Sequence, residues 1–209
     1  MLISNQDVIN VLKQNNININ GVFHLGAHEC EEINFYNELG VSPQNIVWID
    51  ALEEKVMLNK SRGIPNVYHA VVSDEDDKEI VFHVSNNYQS SSILEFGTHS
   101  KEHPWVFYTR EIPQKTITIN TFFDKNNIDG TKYDFWNFDI QGAELLALKG
   151  ATKYIPYVKA MYLEVNEREL YKNCGLIDEM DNFLASYGFE RILTHMTEYG
   201  WGDALYIKK

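Results

Sequence analysis

Apolar residues at Val8, Ile9, Val11 and Leu12 follow Ser4 at the spacing of one helix face. A serine at that point can accept the free N–H groups of a first turn. An N-terminal helix is therefore expected within residues 1–20. After Gly21 the apolar run Val22-Phe23-His24-Leu25 reads as a short buried strand, stopped by Gly26. Residues 29–39 return to helical spacing through Ile33, Phe35, Tyr36 and Leu39. Residues 45–51 form a second buried strand ending in an acid, 53–61 a helix, and 67–72 a third strand. This alternation implies right-handed crossovers and a parallel sheet with helices on both faces.

The middle of the chain is less regular. Residues 79–85 read as extended, 86–110 as a loop rich in serine and aromatics, and 115–119 as extended again before a short helix at 120–126. Regular spacing resumes with a strand at 133–140, a helix at 142–150, a strand at 158–165 and a helix at 176–187. Two closing strands, 189–195 and 201–208, are joined by a turn containing Gly200. So short a connection forces them antiparallel. The expected fold is α/β and Rossmann-like: a seven-stranded, mostly parallel sheet with an antiparallel last strand and helices on both faces. The nicotinamide-binding variant has all strands parallel, and no G-x-G-x-x-G follows the first strand here, which speaks against a nicotinamide oxidoreductase.

Composition narrows the picture. The 209 residues suit one domain spanning 1–209, with a core large enough to need no disulfide or metal. A net charge of −12 with no compensating basic stretch excludes nucleic acid as an expected partner. Cys30 and Cys174 stand far apart in no metal-ligand spacing. The N-terminal stretch lacks the basic and apolar parts of a secretory signal, and no window is apolar enough for a membrane span. A cytoplasmic location without membrane contact is expected; oligomeric state is left open.

Ligands of open α/β sheets bind beyond the carboxyl ends of the strands. The elements above deliver polar groups there: His24, Gly26, Ala27 and His28 from the first strand, Asp50 and Ala51 from the second, and Val72 from the third. Asp139 and Gln141 come from the fourth, Glu164 and Asn166 from the fifth, His195 from the sixth, and Trp201 and Asp203 from the reversed seventh. Gly26 permits a sharp turn and close approach of a ligand. Asp50 lies where an acid can hold ribose hydroxyls. A glycine turn and a surface aspartate alone would look the same.

Residues 134–151, DFWNFDIQGAELLALKGA, are more specific. With the G-A-H turn at 26–28, W-I-D at 48–50, SSSIL at 90–94 and E-V at 164–165, they resemble the FkbM-type methyltransferase family. The resemblance implies a class I methyltransferase fold and S-adenosylmethionine-dependent O-methylation of a small hydroxyl acceptor, most often a sugar or glycan. It also implies a cofactor site around residues 24–28 and Asp50, Ser91 and Ser92 near the cofactor, and Asp139 beside the reacting methyl. The family has Asp where this chain has His24, and a second Gly where it has Cys30. A non-catalytic module that binds the cofactor is the alternative to which His24 points.

A sugar hydroxyl is a poor nucleophile, so a general base is sought, and Asp139 and His195 are the candidates. Asp139, Glu164 and Asn166 offer hard oxygen ligands for Mg²⁺; hydrogen bonding of these carboxylates to cofactor or loop is the favoured reading. Trp105, Phe107, Tyr108 and Trp201 could form an aromatic platform for the acceptor, or simply pack. The segments 86–110 and 195–203 are expected to shape its pocket. His99 and His103, four residues apart, read as loop histidines, and Lys101, Arg110 and Arg168 as possible contacts of an anionic acceptor.

Overall fold

The computed structural model describes residues 1–209. The helices are α1 (Asn5–Gln14), α2 (Ile33–Glu38), α3 (Glu53–Ser61), α4 (His99–Glu102), α5 (Ile119–Lys125), α6 (Glu144–Lys149) and α7 (Ile177–Ala185). The strands are β1 (Val22–Leu25), β2 (Ile46–Asp50), β3 (Val67–His69), β4 (Val71–Val72), β5 (Glu79–Ser85) and β6 (Tyr108–Ile117). The remaining strands are β7 (Phe135–Phe138), β8 (Ala160–Asn166), β9 (Phe189–Met196) and β10 (Trp201–Lys208). Seven strands form one sheet in the order β3-β2-β1-β7-β8-β10-β9. β10 runs antiparallel to both its neighbours, and the other pairings are parallel. The α/β fold expected from the hydrophobic pattern is the one observed.

Alternation along each strand divides the core between two sheet faces. Phe23, Leu25, Trp136, Phe138, Met161 and Leu163 pack with apolar residues of α5, α6 and α7. Val22, Trp48, Phe135, Tyr162 and Leu205 face the other way, against α1, α2 and α3. In α1, Ser4 accepts the Asp7 N–H and the four apolar residues named above are buried.

Three departures from the sequence reading bear on function. First, residues 67–72 are two strands, because β2 ends at Asp50 and leaves the chain no partner beyond Ala70. That chain finds one in β6: Val71 and Val72 pair with Thr116 and Ile117. Second, β6 begins at Tyr108, inside the expected 86–110 loop, and pairs antiparallel with β5 in a separate three-stranded sheet. Third, the helix expected from residue 29 starts at Ile33, since His28 (φ 40°) and Cys30 (φ 57°) hold a left-handed turn before it.

Candidate functional site

One face of the main sheet changes character toward its carboxyl edge. Residues two apart share a face, so the α1–α3 side carries Trp48 then Asp50, Val22 then His24, and Phe135 then Asn137. In β8 it carries Tyr162, Glu164 and Asn166, and Asp203 lies directly opposite Glu164 on β10. Apolar residues give way to a row of polar ones at the end where the parallel strands finish.

Gly26 closes this end. Its φ is +85°, and a Cβ there would lie 1.8 Å from the Asp139 carbonyl oxygen. The close approach it permits is therefore between the ends of β1 and β7. Gly26 and Ala27 both donate to the Ile49 carbonyl at 2.9 Å. Ala27 is buried in the core on the α1–α3 side and lines neither cavity described below, so its place in the site is as part of the turn. Cys30 adopts the left-handed conformation that glycine takes freely, at a cost of roughly 1–2 kcal/mol. Burial pushes its thiol up to about 12, so it remains protonated.

Asp50 accepts the His28 N–H at 2.7 Å and the Leu52 N–H at 2.8 Å, tying the first two strand ends together. Burial raises its pKa while those bonds lower it. Beside it runs a narrow slot with apolar walls from Ile49, Ala51, Val71, Val72, Phe82 and Ile93. Ser91 also lines the slot and accepts the Ser85 N–H at 3.0 Å. The slot opens into a cavity of about 510 Å³, within the range of small-molecule sites. Gly26, His28, Gln89, Asp139 and Gln141 line both, and so mark where the two meet.

His24 occupies the cavity wall, nearly inaccessible to solvent, and burial pushes its pKa down to about 4. Its Nδ1 lies 2.7 Å from the Tyr36 hydroxyl, which accepts from Asn137 Nδ2 at 2.7 Å. The phenol oxygen thus joins the Asn137 amide to the His24 ring, and a pKa this low keeps the ring neutral, with hydrogen on one nitrogen only.

Gln141 organises the acids. Its Nε2 donates to Asp139 Oδ1 at 2.6 Å and to Glu164 Oε2 at 2.7 Å, and its Oε1 accepts from Tyr171 at 2.7 Å. Ser92 lines neither cavity; its hydroxyl donates to the Gln141 carbonyl at 2.8 Å and holds this turn from below. Glu144 accepts the Ile140 and Gly142 N–H groups, and burial pushes its carboxyl up to about 8. Glu164 is raised as well, by burial first and then by Asp139, Glu144 and Asp203.

Trp105, Trp201, Asp203 and Glu164 line the cavity, whereas four residues expected there do not, among them Phe107, which is exposed. His195 pairs with Asp203 across the sheet, but β9 is the edge strand, so the row runs out into solvent and leaves His195 exposed. Tyr108 stacks on Phe96 with ring centroids 4.1 Å apart, and its hydroxyl accepts the Phe96 N–H. Asn166 is fully buried, neither amide atom has a partner, and it lies outside both cavities. The metal triad of Asp139, Glu164 and Asn166 is accordingly not assembled. The Gln141 amide stands between the two carboxylates where a cation would have to sit, and no metal-binding group of three acids, histidines or cysteines occurs. Arg110 pairs with Glu54, Arg168 with Glu102, and neither they nor Lys101 line the cavity.

Other lining residues were not singled out from the sequence: Glu31, Glu32, Asn87 and Gln89 in the cavity and Phe82 in the slot, while Ser90 in the cavity and Ile93 in the slot belong to the SSSIL motif. The adjacent Glu31-Glu32 pair was the one visible signal. His99 and His103, read as loop histidines, are wall residues. His99 is buried against Phe96 at 4.2 Å, and burial pushes it down to about 4.

A sheet of this strand order, with a slot and cavity at its carboxyl edge, defines the class I S-adenosylmethionine-dependent methyltransferases. Residues 20–191 match the methyltransferase FkbM domain, and the chain belongs to that family. Among solved structures, the ribosomal protein L11 methylase of Lactobacillus delbrueckii subsp. bulgaricus shares the fold at TM-score 0.50 and 13% identity. That match covers 98% of this chain and 77% of the other. The magnesium protoporphyrin IX methyltransferase of Synechocystis PCC 6803, with bound S-adenosylmethionine, aligns at TM-score 0.48 and 10% identity, over 98% of this chain and 78% of its own. A methyltransferase of Aquifex aeolicus aligns at 0.42 and 11% identity, over 99% and 90%. No curated protein matches the sequence.

Proposed function

We propose that the protein methylates a hydroxyl of a small molecule, a sugar or other glycan acceptor, using S-adenosylmethionine. The observation that carries this reading is the meeting of an apolar slot and a polar cavity at Gly26, Asp139 and Gln141. The lining of the slot suits a nucleoside: apolar side chains of Val72, Phe82 and Ile93 for the base, with the Asp50 carboxylate beside them for ribose hydroxyls. His28 and Gly26 would line the passage to the amino-acid tail. When bound, the cofactor supplies a methyl group on a sulfonium leaving group.

The chain's own residues then have two tasks. Trp105, Trp201 and the cavity amides hold the acceptor, and such positioning can supply up to roughly 7–11 kcal/mol of the barrier. Asp139, fixed by Gln141 and facing both cavities, takes the hydroxyl proton, a contribution of typically about 10²–10⁴-fold. His195, exposed on the edge strand and outside the cavity, has no part in this reading. The absence of Lys and Arg from the cavity, together with the net charge of −12, argues against nucleic acid and anionic acceptors. Two unpaired buried cysteines are consistent with a cytoplasmic setting, and no helix is long and apolar enough to cross a membrane.

Calorimetric titration with S-adenosylhomocysteine, against NAD as control, tests the cofactor. Micromolar binding of the former alone, followed by transfer of a radiolabelled methyl to a hydroxyl compound, is the expected result. Absence of binding would overturn the reading. Binding without transfer to any hydroxyl compound would favour a non-catalytic module.

A further inference from the structure

The acceptor cavity is lined by Glu31, Glu32, Asp139, Glu164 and Asp203, by Met1, and by no lysine or arginine; Glu31 is already met by the His28 ring and the Glu29 N–H. These acids differ in how far they are already answered. Asp203 accepts from the Tyr162 hydroxyl and the Leu2 N–H, and the amino group of Met1 lies close enough to act on it. Asp139 accepts from Gln141. Glu164 is only 3% exposed, accepts from Gln141 through Oε2, and has no partner at all for Oε1. Glu32, half-buried in the turn before α2, lines the same cavity; burial raises its carboxyl, its own backbone N–H and the Met1 amino group lower it, and no other side chain answers it.

An unpaired buried carboxyl oxygen costs free energy that a bound donor returns, and a charged donor returns most. The S-adenosylmethionine of the proposed reaction brings a sulfonium and an ammonium against its own carboxylate. Its net single positive charge, even with the Met1 amino group beside Glu32 and Asp203, leaves the acids of the cavity in excess. Trp105 and Trp201, lining the same cavity, offer π-faces that attract cations and reject anions. We propose that the acceptor is an amino alcohol of the amino-sugar kind, carrying a protonated amine close to the hydroxyl that receives the methyl, with Glu164 and Glu32 as its receptors. This rests on the methyl-transfer reading and adds the chemical class of the acceptor. The raised carboxyl of Glu164, which burial and its acidic neighbours hold toward the protonated state, agrees with a site built for an ammonium that is not yet there.

The experiment uses the full chain saturated with S-adenosylhomocysteine. Failure of that first binding step would count against the cofactor reading itself and would be recorded separately. Two probes are then titrated by ligand-observed NMR: 1,3-diamino-2-propanol, and its N,N′-diacetyl derivative, which keeps the hydroxyl and loses both charges. Saturable binding of the diamine alone is expected, weakened about tenfold or more in Glu164→Gln and in Glu32→Gln. Glu32→Gln changes a half-buried turn and spares the core. An unchanged S-adenosylhomocysteine affinity in each variant certifies its fold. The proposal is overturned if the diamine does not bind, if the diacetyl probe binds equally well, or if both variants keep the wild-type affinity.

Discussion

Replacing Gly26 by alanine separates two costs that are usually confounded. One is conformational: an alanine at φ +85° pays roughly 1–2 kcal/mol for the left-handed region. The other is steric, and here it is severe, because the new Cβ would stand 1.8 Å from the Asp139 carbonyl oxygen. The end of β7 must retreat by more than an ångström, and overpacking of this kind costs about 1–3 kcal/mol. Gly40 supplies the internal control, with φ +81° and nothing within 4 Å of the position a Cβ would take. Gly40→Ala thus measures the backbone cost alone, and Gly26→Ala is expected to lose about 2 kcal/mol more. In a chain of this size that difference lowers Tm by roughly 4–8 °C. Denaturant unfolding of both variants gives the comparison. Because Gly26 lines slot and cavity alike, S-adenosylhomocysteine affinity should also fall in Gly26→Ala and hold in Gly40→Ala. Equal stability losses in the two variants would refute the claim that the β1 and β7 ends are closed by this contact.

Three further outcomes are expected. Asp50→Ala should weaken S-adenosylhomocysteine binding about tenfold or more by calorimetry, since it removes a charged acceptor and frees two N–H groups. His195→Ala should leave kcat within about twofold of wild type, as for other exposed positions; a large loss would return His195 to the mechanism. The Glu144 carboxyl is raised from 4.5 to about 8, so the folded chain holds a proton that the unfolded chain releases. Stability from this group is full below about pH 4.5 and declines as pH rises toward 8. Unfolding midpoints between those limits should fall less steeply in Glu144→Gln, and parallel slopes would contradict it.

The main-sheet strands were legible as apolar runs ending in polar residues, and with them the set of His24, Asp50, Glu164 and Asp203 at one edge. So was the reversed last strand, because a four-residue connection between Met196 and Trp201 permits nothing else. What could not be read was whatever depends on partners remote in sequence. Tyr108 was assigned to a pocket loop, but its pairing with Ser85 and stacking on Phe96 are decided by β5 and the 94–96 segment. His195 sits at the correct level of the correct face, yet edge position is a property of the sheet and not of the strand. Gln141 was expected to contact the cofactor; its bridging of Asp139, Glu164 and Tyr171 follows only from three elements converging.

The passage of the chain from one sheet to another at Ala70 has a consequence for how such an enzyme can diversify. The polar end of the slot belongs to β1 and β2, while Phe82 and Ile93 on its opposite wall belong to β5 and the segment after it. Between β5 and β6 the chain runs from Asn86 to Phe107, and this excursion supplies Asn87, Gln89, Ser90, His99 and Trp105 to the cavity. It leaves and returns through the small sheet, so its length and composition can vary without touching a hydrogen bond of the seven-stranded one. In the proposed reaction acceptor choice rests on the outer part of this excursion, His99 to Trp105, and grafting residues 94–107 between relatives should transfer substrate preference while Gln89, Ser91 and Ile93 keep the slot as it is.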